Sequence, residues 1–348
     1  MHEQRKSEHL RISLEKDLGS RRISSGFERF RLIHEALPGV DWAAVDTSIE
    51  FLGSSLDAPI IISAMTGGTP EAEILNRRLA EAAQETRICL ALGSQRAAIE
   101  DPTLASTYQV RDLAPDIPLL ANLGAVQLNH GYGVNECRSA VDMVEANGLV
   151  LHLNPLQEAL QEDGDTKFSG LLPRIEEVCR GLDVPVIAKE VGWGIAEDTA
   201  RRLASAGVAA IDVAGAGGSS WSQVEMYRAT SEHHRRVAEA FSDWGIPTAD
   251  SLLMTRRGAP GIPIIASGGI RDGIEIAKAV ALGAALCGIA APFLRAAAES
   301  AATVIDLIRI LIDQLRTAMF ACGAGDILDL RERDVVAIYE RGSAGPHD

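Results

Sequence analysis

The chain has 348 residues, 47% of them hydrophobic but only 4% aromatic, so its core must be built from Ala, Val, Ile and Leu. That length suits two average domains or one large α/β barrel. A formal net charge of −15 argues against nucleic acid or an anionic membrane surface as a general partner, and any anionic ligand must be held by a local basic cluster.

Residues 1–57 precede the first strand pattern and are expected to pack across one end of the main domain. They begin MHEQRKSEHL, charged and without the apolar core of a signal segment. On a helix, Arg5 and His9 stand four apart and face one way. On its own, this charged segment with Lys6 reads as a solvated tail. Apolar runs rich in Ile, Val, Leu and Ala then predict strands over 59–64, 88–93, 118–123, 148–153, 185–190, 209–214, 263–267 and 285–290. Helical spacing of apolar residues fills 70–86 and 272–284 between them. Strand then helix, repeated in this way, predicts a single (β/α)₈ TIM barrel over 58–340, followed by a tail at 341–348.

Residues 215–262 are too long for a bare strand-to-helix connection. They predict a helix near 230–241, with His233 and His234 on a solvated face, and a loop over the barrel mouth. The five cysteines are far apart and form no CxxC pair, which reads as reduced thiols in a cytoplasmic protein. Cys89 and Cys287 lie inside strand patterns and are expected to be buried and inert. The mostly apolar run between Lys278 and Arg295 is shorter than the ~20 residues of a membrane span. Gly283, Gly288 and Pro292 also interrupt it.

Barrel enzymes carry their chemistry at the C-terminal ends of the strands. Here those ends are Met65–Gly68, Ser94–Arg96, Asn122, His152–Glu158, Lys189–Glu190, Gly215–Trp221, Ser267–Gly269 and Ala290–Ala291. The stretch ASGGIRDG at 266–273 puts two glycines before a helix start, where backbone N–H groups can approach an anion. With the strand end at Ala290, it predicts a phosphate site formed by the last two loops. A second glycine loop, VAGAGGSSW at 213–221, fails the dinucleotide pattern GxGxxG at its last position, and no acid-ended strand follows about 20 residues on. Lys189 leaves an apolar run and needs an anionic partner, either Glu190 or the electron-rich edge of a cofactor.

In LVLHLNPLQE at 149–158, alternation along the chain points His152 and Asn154 the same way. Pro155 stops regular strand pairing. Glu158 then falls where a helix N-terminus favours an acid in its first turn. Arg96 is either a ligand contact or half of a surface ion pair.

In these motifs the chain resembles the type 2, flavin-dependent isopentenyl diphosphate isomerases. The resemblance rests on RKSEH at 5–9, AMTGG at 64–68, GSQR at 93–96, Asn122, HLNPLQE at 152–158, KEVGWG at 189–194, GAGGSSW at 215–221 and SGGIRDG at 267–273, in family order across almost the whole chain. Ser219 stands where the family often has threonine, and keeps the hydroxyl.

The resemblance implies FMN at the barrel mouth, Mg²⁺, and a substrate interconverted between isopentenyl and dimethylallyl diphosphate by a 1,3-allylic proton shift. It implies NADPH as the reductant that charges the flavin, and a homo-oligomer, a tetramer or octamer. FMN would be held by Ala64, Met65, Thr66, Gly67, Ser94, Asn122, Lys189, Ser219, Gly268, Gly269, Arg271, Ala290 and Ala291. The substrate would be bound by Arg5, Lys6, His9, Ser94, Gln95, Arg96 and Gln157, with Gln157, His152 and Asn154 as the catalytic set and Glu158 on the metal. The alternative is an FMN oxidoreductase on the same barrel, resembling the 2-hydroxy acid oxidases. Those enzymes need a histidine before the seventh strand, and MTRRGAPGIP at 254–263 has none.

Overall fold

The computed structural model describes residues 2–20, 22–333 and 335–338. The tail 341–348 lies outside them, as do the side chains of residues 2–5, Arg5 among them.

Eight strands close a parallel barrel: β1 Ile60–Ile62, β2 Cys89–Ala91, β3 Leu119–Gly124, β4 Gly148–Leu153, β5 Val186–Glu190, β6 Ala210–Asp212, β7 Ile264–Ser267 and β8 Leu286–Ile289. Each pairs with its neighbour in sequence, and Cys287 opposite Ile60 completes the ring. Successive side chains on a strand point to opposite faces. Thus Ile61, Cys89, Leu120, Val150, Ile187, Ile265 and Leu286 fill the cylinder, while Ile60, Ile62, Leu90, Leu119 and Leu149 pack outward against helices. Both faces are buried, which is why the predicted runs are mostly apolar rather than alternating.

The predicted helices start where a side chain can cap them. Thr69 Oγ1 accepts from Ala72 N at the head of Pro70–Glu85, and Asp272 accepts from Glu275 N at the head of Gly273–Ala281. Ser231 accepts from His234 N and opens Glu232–Glu239, where His233 and His234 are exposed. All five cysteines are free thiols, and burial pushes those of Cys89 and Cys287 well up. No helix among the described residues is long and apolar enough to cross a membrane.

The segment before β1 reaches both ends of the barrel rather than one. A hairpin, Ile49–Phe51 with Ser54–Leu56, puts Phe51 and Leu56 on the apolar cluster inside the cylinder. Asp57 N donates to Arg87 O just before β2, so this hairpin closes the end where the strands begin. Helix His2–Glu15 lies at the opposite end, against helices Trp221–Arg228 and Ala291–Glu299. Between them, Phe30–Leu32 pairs antiparallel with Val336–Ile338.

Candidate active site

The last residues of β4 turn directly into a short helix, Pro155–Leu160, with Pro155 at its first position. His152 is the next-to-last residue of β4, with Nδ1 2.8 Å from Asn122 Oδ1 on β3. An amide oxygen only accepts, so that pairing places the proton on Nδ1 and leaves Nε2 as an acceptor. Burial, and then the charges of Lys189 and Lys6, push the ring down to about 4. His152 is therefore neutral at physiological pH in the ligand-free protein.

The unfolded chain binds that proton with the ordinary value of 6.5. The contribution of His152 to stability is thus fully present above pH 6.5 and is lost as the pH falls towards 4. A ring titration followed by NMR should show no protonation of His152 between pH 8 and pH ~5.5. A midpoint near 6.5 would contradict this.

Beyond the strand, polar side chains form one connected array. Asn154 is buried, and its Nδ2 donates to Glu158 Oε1 (2.8 Å) and to Gln157 Oε1 (3.2 Å). Gln157 Nε2 in turn donates to Glu225 Oε1 (3.3 Å), on helix Trp221–Arg228. Glu225 also faces His9 Nε2 at 3.2 Å and Arg228 at 2.6 Å. Burial works to raise the Glu225 carboxyl, but His9, Arg228 and Gln157 outweigh it and hold it below the usual range. His9 stands edge-on to Trp221, with ring centroids 5.3 Å apart. Asn154 Oδ1 is buried with no partner in the protein. Such an atom calls for a ligand or an ordered water.

The other arm runs from Glu158 to the cations. Glu158 Oε2 accepts from Asp165 N at 2.7 Å. The Asp165 carboxylate holds Arg96 at 2.9 Å, and Arg96 also binds Glu100 at 2.8 Å. Of the two readings of Arg96, the ion pair is present, with a quarter of the side chain exposed. Lys6 Nζ donates to Ser94 O (2.9 Å) and to the Tyr108 hydroxyl, which donates to the same carbonyl at 2.7 Å. Gln95 turns inward. Its amide accepts from Asn122 N (2.9 Å) and donates to Ala140 O (2.8 Å), so it braces β2 against β3 with its side chain fully buried.

Lys189 has a carboxylate partner, but it is Asp212 at the end of β6, 3.2 Å away, rather than Glu190. Asp212 also accepts from Ser267 Oγ at 2.5 Å, joining β5, β6 and β7. Glu190 folds back on its own loop and accepts from Val191, Gly192 and Trp193 N–H groups. Burial pushes it up to about 7 against those donors.

The two glycine loops meet backbone to backbone. A Cβ on Gly268 would lie 2.1 Å from Gly215 O, and one on Gly269 would lie 2.4 Å from Gly217 O. Both glycines have positive φ, 109° and 84°. Thr248 Oγ1 donates to Gly268 O and locks the contact.

Arg271 is exposed beside this loop, with its guanidinium 3.4 Å from Gly217 O. Ala290 caps helix Ala291–Glu299, so two helix N-termini follow β7 and β8 on the same rim. Ala64, Met65 and Thr66 are half-buried in the turn after β1, Ser219 is exposed, and Gly67 lies where a Cβ would strike the Tyr108 ring at 1.9 Å. Glycine turns, helix N-termini and a cation form a donor set that fits a flavin phosphate. Lys189 on β5 and Asn122 on β3, buried on either side of β4, fit a polar ring edge. Among the described residues, no three His, Cys, Asp or Glu side chains stand together as a metal cage.

A family model described as FMN-dependent dehydrogenase matches residues 3–110 and 139–337. The isopentenyl-diphosphate delta-isomerase of Synechocystis sp. is 53% identical over 339 residues, 97% of this chain and 96% of that one. Its counterpart in Nostoc sp. is 51% identical over 327 residues, 94% and 93% of the two chains. The chain belongs to the FMN-dependent, type 2 isopentenyl-diphosphate delta-isomerase family.

Among solved structures, a flavocytochrome b2 with pyruvate bound matches with TM-score 0.70 at 18% identity, over 98% of this chain and 86% of that one. A mandelate oxidase mutant with a monooxide FMN adduct matches with TM-score 0.63, also at 18% identity, over 95% and 92%. At that identity the likeness speaks for the barrel alone. The oxidase alternative finds no support in the site. Arg256 bonds Leu282 O and Arg257 bonds Glu197, and Leu282 lies just before β8, so Arg256 is at the far end of the barrel from the isomerase rim.

Sequence reasoning missed Tyr108, Asp165, Asp212, Glu225 and Thr248. Asp212 left a signal, an acid inside the apolar run AAIDVA at 209–214. The others sit in connections, where neither period nor spacing marks them.

Proposed function

We propose that the array from His9 through Glu225, Gln157 and Asn154 to Glu158 is the isomerisation site, where isopentenyl and dimethylallyl diphosphate interconvert. The observation that carries this reading is that polar array itself, buried at the mouth of an FMN-family barrel and flanked by Lys6 and Arg96. An unactivated alkene is a very weak base, and protonating it builds tertiary carbocation character, so the site must exclude water and present a positioned acid. When bound, reduced FMN supplies an electron-rich ring with proton-exchanging nitrogens, and NADPH is the proposed source of its electrons.

The chain's own residues do the rest. Lys6 and Arg96, with Arg5 and His9, neutralise the diphosphate. His152 stands at the same end of the barrel, and an anion bound beside it would raise its affinity for a proton. Asn154 fixes both Gln157 and Glu158, so the amide at the reacting carbons and the metal carboxylate are set by one side chain. His9 and Trp221 cover the array from the N-terminal helix side. Lys189, paired with Asp212, sets the charge at the ring edge. Each Glu158 oxygen accepts one hydrogen bond and keeps a lone pair for Mg²⁺, whose remaining ligands would be water and phosphate oxygens. The same reading includes a cytoplasmic homo-oligomer, a tetramer or octamer, which light scattering would test.

Proton NMR of isopentenyl diphosphate with protein, FMN, Mg²⁺ and dithionite should show the terminal =CH₂ signals falling as one =CH– signal and a second allylic methyl appear. Unchanged =CH₂ signals with flavin bound would overturn the reading. Glu158→Gln should raise the Mg²⁺ concentration for half-maximal activity roughly 10- to 100-fold, the loss expected of a charged contact. An unchanged Mg²⁺ requirement would place the ligand elsewhere.

A further inference from the structure

We infer that Asp165 is the positioning residue that couples the diphosphate-binding cation to the metal-binding carboxylate; this rests on the site reading above. Asp165 lies on the loop between helix Pro155–Leu160 and helix Leu171–Gly181. Its backbone N–H donates to Glu158 Oε2 at 2.7 Å. Its carboxylate accepts from Arg96 (2.9 Å) and Gln127 (3.0 Å), and stands 3.6 Å from His130. One residue thus fixes a carboxylate from the β4 end and a guanidinium from the β2 end, with anchors following β3.

Burial works to raise the Asp165 carboxyl, but Gln127, Arg96 and His130 outweigh it and keep it ionised. The preceding Gly164 makes the approach possible, since a Cβ there would lie 1.8 Å from Glu158 O. The loop is therefore pressed against the backbone of the residue whose side chain it orients. A substrate carrying diphosphate and Mg²⁺ must engage Arg96 and Glu158 together, and Asp165 sets the distance between them. Partners of this kind tune a ligand without touching it, typically by about 10- to 100-fold in affinity.

The test uses the flavin-loaded full chain and inorganic pyrophosphate as probe, titrated calorimetrically with and without Mg²⁺. Asp165→Asn should weaken Mg²⁺-pyrophosphate binding and raise KM for isopentenyl diphosphate by about 10-fold or more, with kcat and flavin content close to wild type. Asp165→Glu should recover most of the pyrophosphate affinity, because it restores a carboxylate beside Arg96. Gly164→Ala should raise the Mg²⁺ requirement and weaken Mg²⁺-free pyrophosphate binding as well, since the added carbon displaces the loop that carries both arms.

A purely structural role would instead lower flavin retention and thermal stability in all three variants without the split, and would overturn the inference. Wild-type affinity in Asp165→Asn would overturn it as well. Loss of the site reading shows differently: Arg96→Ala and Glu158→Gln would then bind Mg²⁺-pyrophosphate like wild type, and the inference would fall with it.

Discussion

Gln157→Ala is expected to lower kcat by roughly 10²- to 10⁴-fold, the range for removing a group that positions a proton in flight, while flavin content per chain stays at the wild-type level. Gln157 is 8% exposed, with its amide oxygen taken by Asn154 and its amide nitrogen by Glu225. Alanine removes the bridge between them and leaves the Glu225 carboxylate with His9 and Arg228. The strand ends bearing Lys189 and Asn122 and the glycine loops are untouched, so the cradle for the flavin should survive. Stopped-flow isomerisation beside a flavin absorbance titration checks this. A parallel fall in both quantities would mean that Gln157 supports the cofactor rather than the reaction.

The second large effect belongs to Gly268. With φ at 109° and a Cβ position 2.1 Å from Gly215 O and 2.7 Å from Gly215 N, Gly268→Ala meets strain and backbone overlap together. Each costs about 1–3 kcal/mol, and no flexible side chain can yield to remove the clash. The variant should melt several degrees lower and be purified largely without flavin. Gly261→Ala is the control. Its φ is also positive, at 84°, but nothing lies within 4 Å of the added carbon. It should lose only the ~1–2 kcal/mol of left-handed strain and keep its yellow colour. Equal flavin loss in both variants would mean that backbone conformation, not loop contact, decides cofactor retention.

The barrel was legible because its strands are buried on both faces. Each of the eight appears in the sequence as a mainly apolar run, and the observed ends fall within two residues of the predicted ones. Helix starts were legible where Thr69, Asp272 and Ser231 cap them.

Side-chain direction at the rim was not legible. Ser94, Gln95 and Arg96 are consecutive, yet Ser94 offers its carbonyl to Lys6, Gln95 points into the wall and Arg96 reaches Asp165. Where a strand gives way to a turn, the two-residue alternation ends and the next contact decides the direction. Partners lying across strands were equally hidden. Lys189 meets Asp212 because β5 and β6 are in register there, and nothing local to either residue announces the pair. The first segment also misled, since one continuous stretch supplies both the hairpin at the closed end and the helix at the open one.

The ladder between Phe30–Leu32 and Val336–Ile338 has a bearing on biosynthesis. A ribosome exposes Phe30 long before Val336, so the first of these strands waits unpaired while everything between them is made. His9 waits likewise for Glu225. Contacts so distant in sequence form slowly and leave sticky edges exposed meanwhile. Phe30–Leu32 is therefore among the last of these strands to find its place, and chains that stop short of Val336 would form barrels lacking this outer clasp.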